Sequence, residues 1–599
     1  MTTISPTLGI TRTVAEARRT ISELQQQLAT GRKVQTYGDL GLQSTQNLSL
    51  RAELSQIKGY TNTIALLDIR LDLSILNLDR IRDLAADTKS DALETGFEPL
   101  ASGQTVYQTE VGTRFNEVVS LLNLDVNGRH LFGGRETEQN PVRPAGEILD
   151  GAGSQAGFKQ IAAERRQADL GADGRGRLVL TGPEASVTGS VVGTPGDIGG
   201  VAAAQVTIDI GGNAQNFDIS DGGLDTLAAL EAAIDTAFGA DVATIVGGNQ
   251  LQLTATNATD TITITDIDAG AAALAGLTAG VTTNPTAAIN IAEDTAGSPF
   301  GFKLSAATSA LTGTTVTGPA GSPPAVGVQF TSTLPNDGET MRLSLGLPDG
   351  TTHELTLTAR SSGPLGDGDF LIGADENATA ANFQAVVTTS IETEAQRSLS
   401  AASLFASTND FFDFDGSNPP QRVDGPPFDT ATALRDATTT DTVVWYQGEI
   451  STTSARQSNL AKVDDSIIVA YGARANENSL RDVLKTMAAL SIETFNPSDA
   501  NAADRYNEIK LRGNKELSFP TGTQAVDDII MELTVAKTVA GRAGERHTAS
   551  DAFMRDIIGE AEIADIYEVS SQILSLSGRI EASLAVSASL GRLSILNYL

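Results

Sequence analysis

The chain has 599 residues, and its 41 basic and 74 acidic side chains give a formal net charge of −33 at pH 7. At about 100–200 residues per domain, this length predicts about three to five folded units. The acidic surplus disfavours binding to nucleic acid and to anionic membrane surfaces. The chain contains no cysteine, which excludes disulfides, thiolate metal sites and cysteine nucleophiles.

The N-terminus lacks a basic stretch followed by an apolar one, so no cleaved secretory signal is expected. The longest apolar run, around 271–277, is far shorter than the ~18 residues that span a bilayer. We therefore expect no membrane insertion.

Apolar side chains recur every three or four residues near the N-terminus, which predicts a helix with a heptad stripe. The stripe consists of Ile10, Val14, Ala17, Ile21, Leu24 and Leu28. Gly31 is expected to end this helix as its C-terminal cap. The same spacing predicts a long second helix from about Leu50 to Leu93 and a third from Val106 to Asn127.

The C-terminal end has a matching stripe, which predicts a helix from about Thr548 to Leu599. At ~1.5 Å per residue this helix would be ~78 Å long. A bundle seam within one chain would give the same stripe, but such a length favours packing between chains. Two shorter helices are predicted over 479–491 and 524–543. The predicted assembly residues are Ile10, Val14, Ile21, Leu24, Leu28, Ile566, Val569, Ile573, Leu576, Ile580, Leu584, Leu593 and Leu596.

The middle of the chain has a different composition, rich in Gly, Thr, Ala and Asp, with alternating apolar residues typical of strands. Two strands around a turn at 211–213, a helix that enters at Ser220 or Asp221 and continues to Phe238, and two further strands around a turn at 247–249 predict a ββαββ unit that ends near Thr283. A second β-rich unit follows, with a turn at 348–350 and a helix from Asn377 to about Ile391.

These patterns predict a multidomain α+β protein in which a long α-helical coiled-coil stem is built from both termini and β-rich heads of ββαββ type are inserted between them. The predicted segments are a terminal helix (1–36), stem helices (37–140), a connecting hairpin or linker (141–200), a ββαββ insert (201–285), a second β-rich insert (286–427), a return β segment with stem helices (428–547) and a C-terminal helix (548–599).

Chemistry-bearing motifs are scarce. The three histidines lie in three different segments, so no metal site is predicted. No phosphate-binding or dinucleotide-binding glycine loop is present, so no cofactor is predicted. The acidic stretch from Asp410 to Gly416 is similar to a calcium loop but lacks its closing carboxylate, which favours a solvated acidic linker. We expect a protein that is not an enzyme; no carboxylate cluster supports the alternative of a hydrolase.

Several motifs resemble the bacterial flagellin superfamily, and its hook-filament junction branch in particular. The run Leu24–Val34 is similar to the element that joins the terminal helix to the stem, and Asn127–Gly134 is similar to the motif that ends the descending stem helix. The segment 471–477 resembles the return into the stem, and 593–599 resembles the C-terminus of that branch. The segment 206–283 resembles an insert found in flagellins and hook-associated proteins.

The resemblance implies a structural subunit of the bacterial flagellum, exported unfolded through the flagellar type III apparatus and assembled outside the cell. The implied partners are copies of the chain itself, neighbouring hook-associated proteins and flagellin, and an export chaperone. The hook-filament junction is the favoured position, and a filament flagellin is the alternative. A stalked surface adhesin with a glycan-binding head is an alternative of another class.

Overall fold

The computed structural model describes residues 6–36, 41, 43–199, 202–220, 222–239, 242–257, 260–414 and 419–596, with side chains described over 12–589 of these ranges. The fold is mixed α and β, with several small sheets and a long helical region at the C-terminal end. The chain divides into two compact units. Unit 1 contains Met1–Asp79, Thr453–Ala473 and Asp527–Leu599, and unit 2 contains Arg80–Thr452 and Arg474–Val526.

The helices are α1 (Pro6–Thr30), α2 (Gln43–Glu94), α3 (Val106–Leu122), α4 (Ala145–Asp150), α5 (Phe158–Leu170), α6 (Leu227–Phe238), α7 (Ala271–Leu274), α8 (Glu376–Glu394), α9 (Ser400–Phe412), α10 (Asn478–Ile492), α11 (Ala502–Glu516), α12 (Val526–Glu562) and α13 (Ile566–Leu596). A π-helical turn, Ala395–Leu399, joins α8 to α9, and a 3₁₀ turn covers Ala455–Ser458.

The strands are β1 (Asp125–Val126), β2 (Arg129–His130), β3 (Leu178–Thr181), β4 (Ser186–Thr188), β5 (Gln205–Ile210), β6 (Asn213–Asp218), β7 (Ala243–Val246), β8 (Gln250–Thr254), β9 (Ile262–Asp266), β10 (Val281–Thr283), β11 (Ala288–Glu293), β12 (Lys303–Ser309), β13 (Thr314–Ala320), β14 (Ala325–Phe330), β15 (Thr340–Gly346), β16 (Thr352–Arg360), β17 (Asp369–Leu371), β18 (Gln421–Val423), β19 (Leu434–Asp436), β20 (Leu460–Lys462) and β21 (Ile468–Ala470).

In unit 1, α2 and α12 run antiparallel. Arg51 forms an ion pair with Glu562 at 2.7 Å, and Lys537, near the other end of α12, forms an ion pair with Asp72. The three-and-four spacing places the apolar residues of each helix on one stripe. The buried apolar side chains of these two helices within unit 1 are Ile57, Ile64, Leu67, Leu71, Leu78, Ile529, Leu533, Ala536, Ala540, Ala543, Met554 and Ile558.

The C-terminal helix differs from the sequence prediction. Instead of one helix over 548–599, α12 ends at Glu562 and α13 begins at Ile566. Asp565 caps α13, because its carboxylate accepts hydrogen bonds from the backbone N–H groups of Tyr567 at 2.9 Å and Glu568 at 3.2 Å. The apolar spacing continues across the break, so periodicity alone did not reveal it.

In unit 2, α3 begins at Val106 as predicted but ends at Leu122 instead of Asn127. The side chain of Asn123 exchanges two hydrogen bonds with the backbone of Val142, at 2.8 and 2.9 Å, which competes with continuation of the helix. Asn127 and Gly128, both with positive φ, then form the turn of the β1–β2 hairpin.

The first insert has its own hydrophobic core, formed by residues between Ala185 and Leu277. The predicted ββαββ strands and helix are present, and both predicted glycine turns connect antiparallel pairs, β5–β6 and β7–β8. The pairs lie in different sheets, with strand orders β10-β9-β5-β6 and β4-β8-β7. Strand β4 extends this insert upstream of residue 201.

The second insert contains two four-stranded sheets, with orders β13-β14-β11-β3 and β12-β15-β16-β17, and helix α8. Its core includes Leu178 and residues between Ala287 and Ala402, with Phe330, Phe370 and Phe383 in mutual edge contact. The predicted β15–β16 hairpin and α8 are confirmed. Helix α9, absent from the sequence prediction, continues from α8 and is buried along most of its length.

The first insert should be removable without unfolding the second. Strands β3 and β11 pair with Thr181 opposite Asn290, and the Thr286 N–H donates to the Pro183 carbonyl at 3.0 Å, which is the hydrogen bond that closes a two-residue turn. We expect that replacing 184–285 by Asn-Gly leaves the free energy of unfolding of the remainder within about 1 kcal/mol. Denaturation followed by circular dichroism checks this, and loss of the cooperative transition would contradict it.

Candidate assembly interface

The two terminal helices of unit 1 pack against each other. Leu24 of α1 lies in one hydrophobic cluster with Ala564 and Val569, and Ile573 and Leu576 of α13 pack against that cluster while partly exposed. Leu24 is 7% exposed and Val569 6%. The structure therefore brings together one N-terminal and three C-terminal residues of the predicted interface.

The other predicted interface residues have different surroundings. Val14 is buried, and Ile21 and Ile580 are half-buried. Leu28, Ile566 and Leu584 are exposed, although they belong to the same periodic stripes. The side chains of Ile10, Leu593 and Leu596 lie outside the described part of the chain.

A short backbone contact connects the end of α1 to the break between α12 and α13. Gly31, with φ of +66°, ends α1 as predicted, and its carbonyl accepts a hydrogen bond from Ala564 N–H at 3.0 Å. The Lys33 N–H donates to the Glu562 carbonyl at 2.8 Å, and Arg32 and Ile563 form an antiparallel bridge. A Cβ at position 31 would meet no atom within 4 Å, so the glycine is required for its left-handed backbone and not for space.

Charged contacts hold the surrounding helices of unit 1. Glu562 accepts from Arg51 at 2.7 Å, and its second oxygen lies 3.4 Å from the amide nitrogen of Asn47. A hydrogen bond from Arg546 lowers the pKa of Asp464, and the two side chains are 3.0 Å apart. These pairs are partly exposed, and each contributes about 1 kcal/mol or less.

The helices of unit 1 also expose many large apolar side chains. Of the large apolar side chains that are exposed among the described residues, more than half lie in unit 1, which holds under a third of the chain. On α12, Met531, Val535 and Val539 follow a spacing of four, which places them on one face. On α13, Leu574 is 74% exposed. Extensive exposed apolar surface is typical of protein interaction sites.

Sequence reasoning missed Met531, Val535 and Leu574 as candidates. Leu574 lies next to the stripe residue Ile573, and the heptad pattern predicts that residues beside the stripe face solvent. On α12 a second apolar face is the signal that could have found Met531 and Val535, because a helix that pairs with one neighbour needs only one such face. No spacing marks Leu574, since the positions three and four residues away are Ser or Gly.

Among the described residues, no group of three or more His, Asp or Glu side chains could hold a metal ion. The histidines have separate partners: His130 is 2.8 Å from the Asn123 carbonyl, His353 is 3.3 Å from Glu394, and His547 is 2.8 Å from the Val463 carbonyl. In the described ranges no helix has both the length and the hydropathy to cross a membrane.

The acidic stretch after residue 409 requires a correction. Asp410 is not part of a solvated linker: it lies on α9, where its carboxylate is 2.6 Å from Arg165. Asp413 contacts Arg481 at 3.2 Å. Asp415 and Gly416 lie outside the described residues.

No protein-family model matches the chain, and no curated protein matches it significantly.

Proposed function

We propose that the chain is a non-enzymatic structural subunit of the bacterial flagellum that self-assembles through its terminal helices. The observation that carries this proposal is the apolar surface left exposed on α12 and α13, although α1 and α13 already pack against each other through Leu24 and Val569. Removing apolar surface from water stabilises association by about 25 cal/mol per Å² before the entropic costs of binding.

The motifs that resemble the flagellin superfamily support the position that we propose, the hook-filament junction. In this proposal the terminal helices form a coiled-coil stem with those of neighbouring subunits, and the β-rich inserts form the heads. The partners are further copies of the chain, hook-associated proteins, flagellin and an export chaperone. In this proposal the subunit is extracellular and is exported by the flagellar type III apparatus that the resemblance implies. A filament flagellin is the alternative that the same motifs allow.

A single labelling experiment tests assembly and position together. Gold-labelled antibody against the first insert is applied to whole cells that produce the chain, and electron microscopy locates the label. We expect one band at the base of each filament. Continuous label along the filament would show that the subunit forms the filament and not the junction. Label unconnected with any flagellum would overturn the proposal.

The same experiment includes a pair of adjacent substitutions on α13. Leu574→Glu replaces a large exposed apolar side chain by a charge, so we expect an exported, folded monomer and loss of the band. Ser575→Glu adds the same charge at an exposed position about 100° around the helix and should retain the band. Equal incorporation of both variants would exclude Leu574 from the interface.

A further inference from the structure

A polar cleft lies in unit 2 between the two inserts. One wall is the outer face of the β13-β14-β11-β3 sheet, and the other includes residues of β4 and β8 from the first insert. The cleft has a volume of about 720 Å³. This volume lies within the range of about 300–1,000 Å³ that small-molecule sites occupy.

The sheet wall presents polar groups in register. Thr317 lies opposite Gly327, Gly327 opposite Asn290, and Asn290 opposite Thr181, which makes one row across four strands. A Cβ at Gly327 would lie 2.8 Å from the Thr317 hydroxyl, so the glycine keeps the middle of the row open. Because the strand ladder fixes these positions, the row is preorganised.

The lining is rich in uncharged hydrogen-bonding groups. Of the seventeen described residues that line it, ten are Thr, Ser, Asn or Gln, and Glu184 is the one charged residue among them. Among the described residues, the side chains of Asn290, Gln384 and Thr315 form no hydrogen bond with the protein. Water therefore satisfies these amides and hydroxyls, and a ligand can replace that water where it offers matching donors and acceptors.

We propose that this cleft binds a neutral oligosaccharide. Sugar hydroxyls both donate and accept hydrogen bonds, which matches a wall of amides and hydroxyls. The described lining residues include no cation, and Glu184 repels anions, so phosphorylated and sulfated ligands are disfavoured. Strands β11 and β14 are paired on both edges, so their section of the wall offers no free strand edge to a peptide.

The test uses the full chain, and its readout is independent of assembly. Saturation-transfer NMR is recorded with neutral trisaccharides of glucose, of mannose and of N-acetylglucosamine, and with a sulfated trisaccharide. We expect transfer to at least one neutral sugar and none to the sulfated one. No transfer to any neutral sugar, or transfer that is equal for the sulfated one, would overturn the proposal.

Two double variants locate the binding. Asn290→Ala with Gln384→Ala removes two unpartnered amides and should weaken binding about tenfold or more, since a loss of 1.4 kcal/mol is tenfold in affinity. Thr308→Ala with Ser332→Ala removes two exposed hydroxyls of the same insert outside the cleft and should leave binding unchanged. Equal binding by both variants would place the sugar elsewhere and overturn the assignment of this cleft.

Discussion

Leu24→Asp is expected to abolish assembly by separating the terminal helices within one chain. Leu24 is buried in the small cluster with Ala564 and Val569, so the substitution places a carboxylate there without a partner. Burying an unpaired charge costs several kcal/mol, and losing the leucine removes about 1.5–3 kcal/mol of apolar burial. We expect protease to cleave α1 and α13 faster than in the wild type. Unit 2 should stay folded and keep its contribution to the circular dichroism signal.

Gln25→Asp is the matched control, because Gln25 is exposed on the same helix and the same charge is introduced one residue away. The control should keep both protease resistance and incorporation into the flagellum. Leu24→Asp and Leu574→Glu should differ in the monomer, since only the first changes a buried position. Wild-type protease resistance of Leu24→Asp would show that this cluster does not hold the terminal helices together.

Arg165→Met is expected to destabilise unit 2 by about 3–5 kcal/mol, the usual cost of removing one partner from a buried ion pair. The Arg165 guanidinium lies 3.0 Å from Asp169 and 2.6 Å from Asp410, and it stacks over Phe300 with 5.1 Å to the ring centroid. Asp169 is fully buried, so the variant leaves a carboxylate without its cation. Chemical denaturation at pH 7 measures the loss.

The loss of stability caused by Arg165→Met should be smaller at low pH. Burial raises the pKa of Asp410 to about 6 even though Arg165 opposes the shift, whereas an unfolded aspartate titrates near about 3.9. Between these values the folded state binds more protons than the unfolded state, so this group favours folding more as the pH falls. Removing Arg165 removes the opposing cation. Without that cation the pKa of Asp410 rises further, so the variant takes up the proton at a higher pH than the wild type does. We therefore expect the difference between Arg165→Met and the wild type to decrease as the pH falls toward about 6 and to level off below it, where Asp410 is protonated in both folded proteins.

The control for Arg165→Met is Lys159→Met on the same helix. Lys159 pairs with Asp150 at 2.6 Å, but both side chains are about half exposed. Exposed ion pairs contribute about 0–1 kcal/mol, so this variant should remain near wild-type stability at every pH. Equal losses in the two variants would mean that burial of the Arg165 cluster is not what stabilises it.

The elements that were predicted well are those whose cause is local. Gly31 ends α1, the turns at 211–213 and 247–249 form hairpins, and α8 lies where its apolar spacing indicated. Each depends on residues that are close together in the sequence. These are a glycine with a left-handed backbone, an asparagine beside glycines, or apolar residues that share one face of a helix.

The elements that were missed depend on distant partners. Helix α9 was not predicted because its surface is buried on nearly all sides, which removes the polar face that marks an amphipathic helix. The sequence predicts a solvated linker at Asp410 because its partner, Arg165, lies 245 residues away in the chain. The end of α3 at Leu122 similarly depends on Val142, which accepts and donates hydrogen bonds across the intervening hairpin.

The candidate interface also combines features that are local in the sequence with features that depend on distant partners. The sequence alone determined that both ends of the chain form helices with apolar stripes, because side-chain spacing sets which residues share a helix face. Tertiary structure decided which stripe residues are covered: Leu24 and Val569 are buried, whereas Ile566 and Leu584 remain exposed. The reason is that burial depends on where a neighbouring helix runs, and here that course is set by the contact of Gly31 with Ala564 at the break between α12 and α13.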